Sequence, residues 1–210
     1  MPTSMLKRLI PVLGLTALCW LVFLINHALL SDHLIQYGIR PRHVTGLPGI
    51  IWAPFLHGSL QHLIANTLPL LVFGSILCIR SRIEFVGVTT AGIVLSGGLV
   101  WLLGRGAYHI GASGLIFCYF GYLASLAFFE RKPGNLFLSI VCITVYGGIL
   151  RGIIPTSAAV SWEGHLLGLL SGIGLAWFTA HVRKADDKPS IATMRTGPRL
   201  VKEGAVSADK

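Results

Sequence analysis

Apolar residues run in long blocks along this chain, and the polar residues collect between them. Segments of roughly the 20 residues needed to cross a hydrocarbon core fall at 9–30, 57–79, 85–103, 111–129, 135–154 and 164–182. This pattern predicts six membrane-spanning helices in an all-α bundle. Arg151 interrupts the end of the fifth block. The longest internal connection, 31–56, carries Pro41, Gly46, Pro48 and Gly49 as turn formers. It also holds Ile50, Ile51, Trp52 and Phe55, which predicts that part of it lies at the membrane interface. Residues 1–8 read as a short N-terminal segment and 9–182 as a single membrane domain. Residues 183–210, polar and mixed in charge, read as a disordered tail. No internal repeat is evident.

Composition agrees with that pattern. The 210 residues are 53% hydrophobic and 12% charged, with a mean hydropathy of +0.73. A soluble domain carries about twice that charged fraction. All eight acidic residues (Asp32, Glu84, Glu130, Glu163, Asp186, Asp187, Glu203 and Asp209) fall at segment ends, in connections or in the tail. Cys19, Cys78, Cys118 and Cys142 lie inside apolar blocks without paired spacing, so they read as small hydrophobes rather than a disulfide framework or a metal site. The first block is too long for the core of a signal peptide.

The formal net charge of +9 does not describe a nucleic-acid stripe, because the basic residues flank helices. Lys7, Arg8, Arg80, Arg82, Arg131, Lys132, Arg183 and Lys184 gather on one side of the bundle. Only Arg40, Arg42, Arg105 and Arg151 gather on the other. The positive-inside rule then places both termini in the cytoplasm. The second, fourth and sixth segments begin at the outer face.

That topology makes several polar residues converge. His57 opens the second segment, Ser113 the fourth and His165 the sixth, with Asn66 only about 13 Å deeper than His57. His62 and Asn66, four residues apart, share one helical face. A serine hydroxyl needs a base within hydrogen-bond reach to act as a nucleophile, and His165 shares the depth of Ser113. Glu163 points to another side of its helix, so the pair reads as a dyad whose histidine is oriented by packing against Phe117. Asn66, His62 and the backbone N–H of Ser113 could donate to a developing oxyanion. Gly111 and Gly114 permit close approach at the serine turn, whereas Gly168 and Gly172 read as helix-packing residues. His57 reads as a brace for the connection above it. His27, His33, His43, His109 and His181 read as interfacial bystanders.

Taken together, the segment Phe55 to Asn66 with His57, His62 and Asn66, the run Gly111-Ala112-Ser113-Gly114, and His165-Leu166-Leu167-Gly168 followed by Gly172 resemble the motifs of the rhomboid family of intramembrane serine proteases. The likeness covers roughly residues 9–182. It implies a six-helix rhomboid-like bundle with Ser113 as nucleophile and His165 as general base, and with His62, Asn66 and the Ser113 amide at the oxyanion. It further implies single-pass transmembrane protein substrates cut near the outer end of their membrane segment, with no metal or cofactor and no nucleic acid. The expected setting is a lipid bilayer, a bacterial inner membrane, with the site facing outward. Two positions depart from the family pattern: Trp52 is followed by Ala53 rather than arginine, and Phe117 stands where many members have tyrosine. The alternative function is a catalytically inactive relative that binds membrane clients. A haem carrier is disfavoured because the histidines sit near one face, and a transporter because the segments lack midplane charges.

Overall fold

The computed structural model describes residues 2–157 and 160–186. Its α-helices are α1 (Pro2–Leu29), α2 (Gly49–Trp52), α3 (Leu60–Arg80), α4 (Arg82–Leu103), α5 (Ser113–Glu130), α6 (Pro133–Tyr146) and α7 (Trp162–Asp186). All but α2 contribute to six spans long and apolar enough to cross a membrane, the fifth reaching from Pro133 to Ile153. The protein is an integral membrane protein, all-α and with six spans among the described residues.

Several boundaries move relative to the sequence pattern, each for a local reason. The second span starts at Leu60 rather than His57. Ser59 is extended (φ −160°, ψ 158°) and its hydroxyl accepts the His62 N–H, which caps the first turn. His57 is therefore a loop residue, and Asn66 lies only about 9 Å into its helix. Ser81 divides α3 from α4 in the same way, accepting the Glu84 N–H. The first helix begins at Pro2, so residues 2–8 belong to it. The last continues to Asp186, while the rest of the polar tail, 187–210, lies outside the described residues. The fifth span changes character at its end: the α-helix stops at Tyr146, and Gly147–Ile153 continues as a 3-10 helix.

Helix α5 forms the centre of the bundle. Of its apolar window 56% is buried, against 11% for the span built on α6. It packs most extensively on α7, and also on α6, α4 and α3. Lipid offers apolar side chains as good a home as the bundle does, so close backbone approach and polar contacts must hold the helices together. Both are present. A Cβ at Gly168 would collide with the Gly114 carbonyl, and one at Gly172 with the Cys118 carbonyl. These two glycines let α7 lie directly on the α5 backbone.

Polar ties close the end of the bundle opposite Ser113. The side chains of Glu84 and Glu130 are buried, and Arg183 pairs with both, meeting Glu84 at 3.1 Å. Arg80 pairs with Glu84 at 3.1 Å and donates to Asn135 at 2.7 Å. Asn135 in turn donates to Glu130 at 2.6 Å, and the Tyr122 hydroxyl donates to Glu84 at 2.9 Å. One network thus joins α3, α4, α5, α6 and α7.

The connection 30–59 is compact. It contains α2 and 3-10 turns at His33–Tyr37, Val44–Gly46 and Ala53–Phe55. Arginine is absent after Trp52, and a different arginine anchors this loop. Arg42, in the left-handed region (φ 60°), donates to the carbonyls of Leu102 at 3.3 Å and Gly104 at 2.8 Å. A cation there satisfies the last carbonyls of α4 and complements the helix dipole. The Trp101 indole donates to the His43 carbonyl at 2.9 Å. Ile39 forms an antiparallel bridge with His109.

Candidate active site

Four chain segments meet at the end of the bundle where α5 begins. Ser113 is the first residue of α5, so its N–H belongs to the helix-terminal donors that lack an intrahelical acceptor. The turn before it depends on Gly111. This residue has φ +107°, which L side chains rarely adopt, and its N–H donates to the Ala53 carbonyl at 2.8 Å. Space demands glycine as well. A Cβ at Gly111 would lie 2.6 Å from Cε1 and Nε2 of His62 and 3.5 Å from Nδ2 of Asn66. His62 and Asn66 of α3 therefore both sit against the serine turn.

His62 and Asn66 contribute differently. Asn66 is buried, and its Nδ2 has no hydrogen-bond acceptor among the described residues. An unmet donor in a buried setting costs about 1–3 kcal/mol, a cost that an acceptor placed in the cavity would offset. His62 is half-buried and held at its backbone by Ser59.

His165 lies within the first turn of α7. Ser161 begins that helix, its hydroxyl accepting the Gly164 N–H at 3.2 Å and its carbonyl accepting the His165 N–H at 3.2 Å. Two contacts fix the imidazole. Phe117, one turn below Ser113, stacks on it with ring centroids 4.3 Å apart and planes 6° apart. Nδ1 of His165 lies 2.8 Å from the Gly152 carbonyl. Glu163 turns away, as its sequence position suggested, and pairs with Arg105 at 3.6 Å.

Ser113, His165, His62, Asn66 and Phe117 line one cavity of about 720 Å³. Gly111 stands behind His62 rather than on the cavity wall, and Gly114 faces Gly168 in the α5–α7 seam. His57 is fully buried, with its ring edge-on to His62 at 5.0 Å between centroids and Nδ1 3.4 Å from the Phe55 carbonyl. Burial, helped by the adjacent His62, pushes its imidazole pKa down to about 4.

One histidine proves more than a bystander. His109 is buried, with Nδ1 2.6 Å from the Ser161 hydroxyl and Nε2 3.1 Å from the Arg105 carbonyl. Burial lowers its pKa, while the Arg105 carbonyl and Glu163 oppose that shift. Arg105 itself donates to the Val160 carbonyl at 2.7 Å. The loop that delivers Ser113 therefore holds the segment that starts α7. Gly152 and Ser161 were also missed: a main-chain acceptor leaves no trace in residue type, but a serine ahead of the Trp162 helix is a legible cap. The other four differ from His109 in being exposed: His27 pairs with Asp32, His33 with the Leu30 carbonyl and His181 with the Trp177 carbonyl, while His43 engages Trp101 through its main-chain carbonyl.

Comparison with known proteins agrees with this architecture. Uncharacterized proteins of Mycobacterium bovis and Mycobacterium tuberculosis are each 38% identical over 197 residues, spanning 90% of this chain and 80% of the relative. An uncharacterized protein of Mycobacterium leprae is 34% identical over 203 residues, spanning 91% of this chain and 78% of its own. Residues 44–182 match the Rhomboid domain, a stretch that runs from the anchored loop through the whole site, and the chain belongs to the rhomboid family.

Proposed function

We propose that this protein is an intramembrane serine endopeptidase that cleaves single-pass transmembrane proteins through a Ser113–His165 dyad. The observation that carries the reading is the meeting of Ser113, His165, His62 and Asn66 on one cavity at one end of a membrane bundle. The Ser113 hydroxyl attacks the scissile carbonyl carbon and passes its proton to Nε2 of His165. The oxyanion so formed is held by Asn66, His62 and the Ser113 N–H. Collapse breaks the C–N bond, and His165 returns the proton to the leaving amine. Water then attacks the acyl-enzyme, again with His165 as base, releasing the new carboxylate and restoring Ser113.

The asymmetry of lysine and arginine supports cytoplasmic termini and a site opening to the outer face. Similarity to mycobacterial proteins supports a bacterial plasma membrane as the setting. Substrates enter from the bilayer and must unwind to present an extended bond, which favours segments with small or helix-breaking residues near their outer end.

The test compares wild-type protein with Ser113→Ala on a single-pass substrate in liposomes, with parallel labelling by a fluorophosphonate. Cleavage and labelling by the wild type alone are expected. Equal cleavage by Ser113→Ala overturns the nucleophile. A wild type that neither cleaves nor takes the label points instead to an inactive, client-binding relative.

A further inference from the structure

The pair Ser113 and His165 lacks a carboxylate partner, and the geometry points to a main-chain group in its place. We propose that the carbonyl of Gly152 is the positioning group for His165, delivered to the imidazole where the fifth span tightens from α-helix into a 3-10 helix. This inference rests on the dyad reading given above.

A carbonyl oxygen can only accept. With Nδ1 of His165 2.8 Å from the Gly152 oxygen, the proton of the neutral ring sits on Nδ1. Nε2 then carries the lone pair, which is the form a base needs toward Ser113. The two contacts on the ring divide the task between them. Stacking on Phe117 fixes the plane of the imidazole, but a stacked ring can still turn within that plane. The Nδ1–H bond removes that freedom by deciding which edge faces the cavity. As His165 takes the serine proton, the same carbonyl stabilises the resulting imidazolium, the service that a carboxylate gives in a triad.

Glycine at 152 is required for this contact. A Cβ there would lie 2.8 Å from Nδ1 of His165 and 3.0 Å from Cζ of Phe117. Any side chain would part the carbonyl from the ring or lift the ring from its platform. Helix geometry supplies the rest. Gly152 lies in the last turn of the 3-10 stretch Gly147–Ile153, where terminal carbonyls lack intrahelical donors and can accept from elsewhere. The span that carries it is the least buried of the six, so a displacement of its outer end would release the base from its register.

The full-length chain in detergent, labelled with 15N-histidine, tests this directly, with the His165 signals assigned by their loss in His165→Asn. At alkaline pH the ring proton is expected on Nδ1. Replacing Ile153 by its α-hydroxy analogue turns the Gly152 carbonyl into that of an ester, a poorer acceptor, without altering any side chain. The proton should then redistribute toward Nε2, and kcat should fall roughly tenfold at unchanged KM, as expected for weakening a hydrogen bond to a group that becomes charged. The same change at Ile154 should do neither. A wild type with the proton on Nε2, or an Ile153 ester matching the wild type in tautomer and kcat, overturns the proposal. The tautomer is read without turnover, so a chain that holds the proton on Nδ1 yet cleaves nothing counts against the protease reading alone.

Discussion

The Phe117 ring lies flat on the His165 imidazole, 4.3 Å between centroids and within 6° of parallel. The two residues come from α5 and α7, so the stack spans the same helix pair that carries Ser113 and His165. Phe117→Ala removes the platform and frees the ring to tilt away from the serine. Cleavage should fall by about tenfold or more, while Phe117→Tyr, which keeps the aromatic face, stays within a few-fold of wild type. Initial rates on the reconstituted substrate decide it.

Asn66 offers a buried N–H with no acceptor among the described residues. Loss of one oxyanion donor costs on the order of 100- to 1,000-fold in kcat where the donor acts on the transition state. Because His62 and the Ser113 amide remain, Asn66→Ala should retain measurable turnover with little change in KM, unlike Ser113→Ala. Relief of an unmet buried donor should also leave thermal stability unchanged or slightly raised.

Gly168 sits where α7 touches the Gly114 carbonyl of α5. Gly168→Ala inserts a methyl group against main-chain atoms that have no rotamer to escape into. Overpacking of this kind costs about 1–3 kcal/mol or more. It should lower the melting temperature and cleavage together, since separating the helices also separates His165 from Ser113. Thermal unfolding in detergent would expose the error if Gly168→Ala melted with the wild type.

Acid should weaken the fold through His57. Its imidazole titrates near 4 when buried, against an ordinary value of 6.5. The unfolded chain therefore binds more protons than the folded one between those limits. Stability is fully present above pH 6.5 and declines as pH falls toward 4, by on the order of 3 kcal/mol from this residue. His109, shifted in the same direction by burial, adds to the slope. Melting temperatures across pH 4 to 7 should fall on the acid side for the wild type and fall less steeply for His57→Leu.

How much of this was legible before folding depends on the kind of signal. The six spans follow from apolar blocks, and the convergence of Ser113, His165, His62 and Asn66 follows from topology plus helical spacing. The start of α3 was readable in Ser59 but hidden, because hydrophobicity continues through Leu56 and masks the break at His57. Main-chain contacts were out of reach: neither the Gly152 carbonyl on His165 nor the Gly111 N–H on Ala53 is written in a side chain. Arg42 as the anchor of the long loop was equally hidden, since its partners are the carbonyls of Leu102 and Gly104, about sixty residues away. The acidic residues were legible as segment-end charges, but not their pairing, which buries the side chains of Glu84 and Glu130 beneath Arg80 and Arg183.

That buried network also determines where the protein can be cut. The Rhomboid match stops at residue 182, yet the cation shared by Glu84 and Glu130 is the next residue, Arg183. A domain trimmed at the family boundary would keep every side chain of the cavity but remove the cation that Glu84 and Glu130 share, leaving Glu84 to Arg80 and Tyr122 and Glu130 to Asn135 alone. Such a fragment loses its keystone while its active face is untouched, and expression designs for this protein should carry α7 through Asp186.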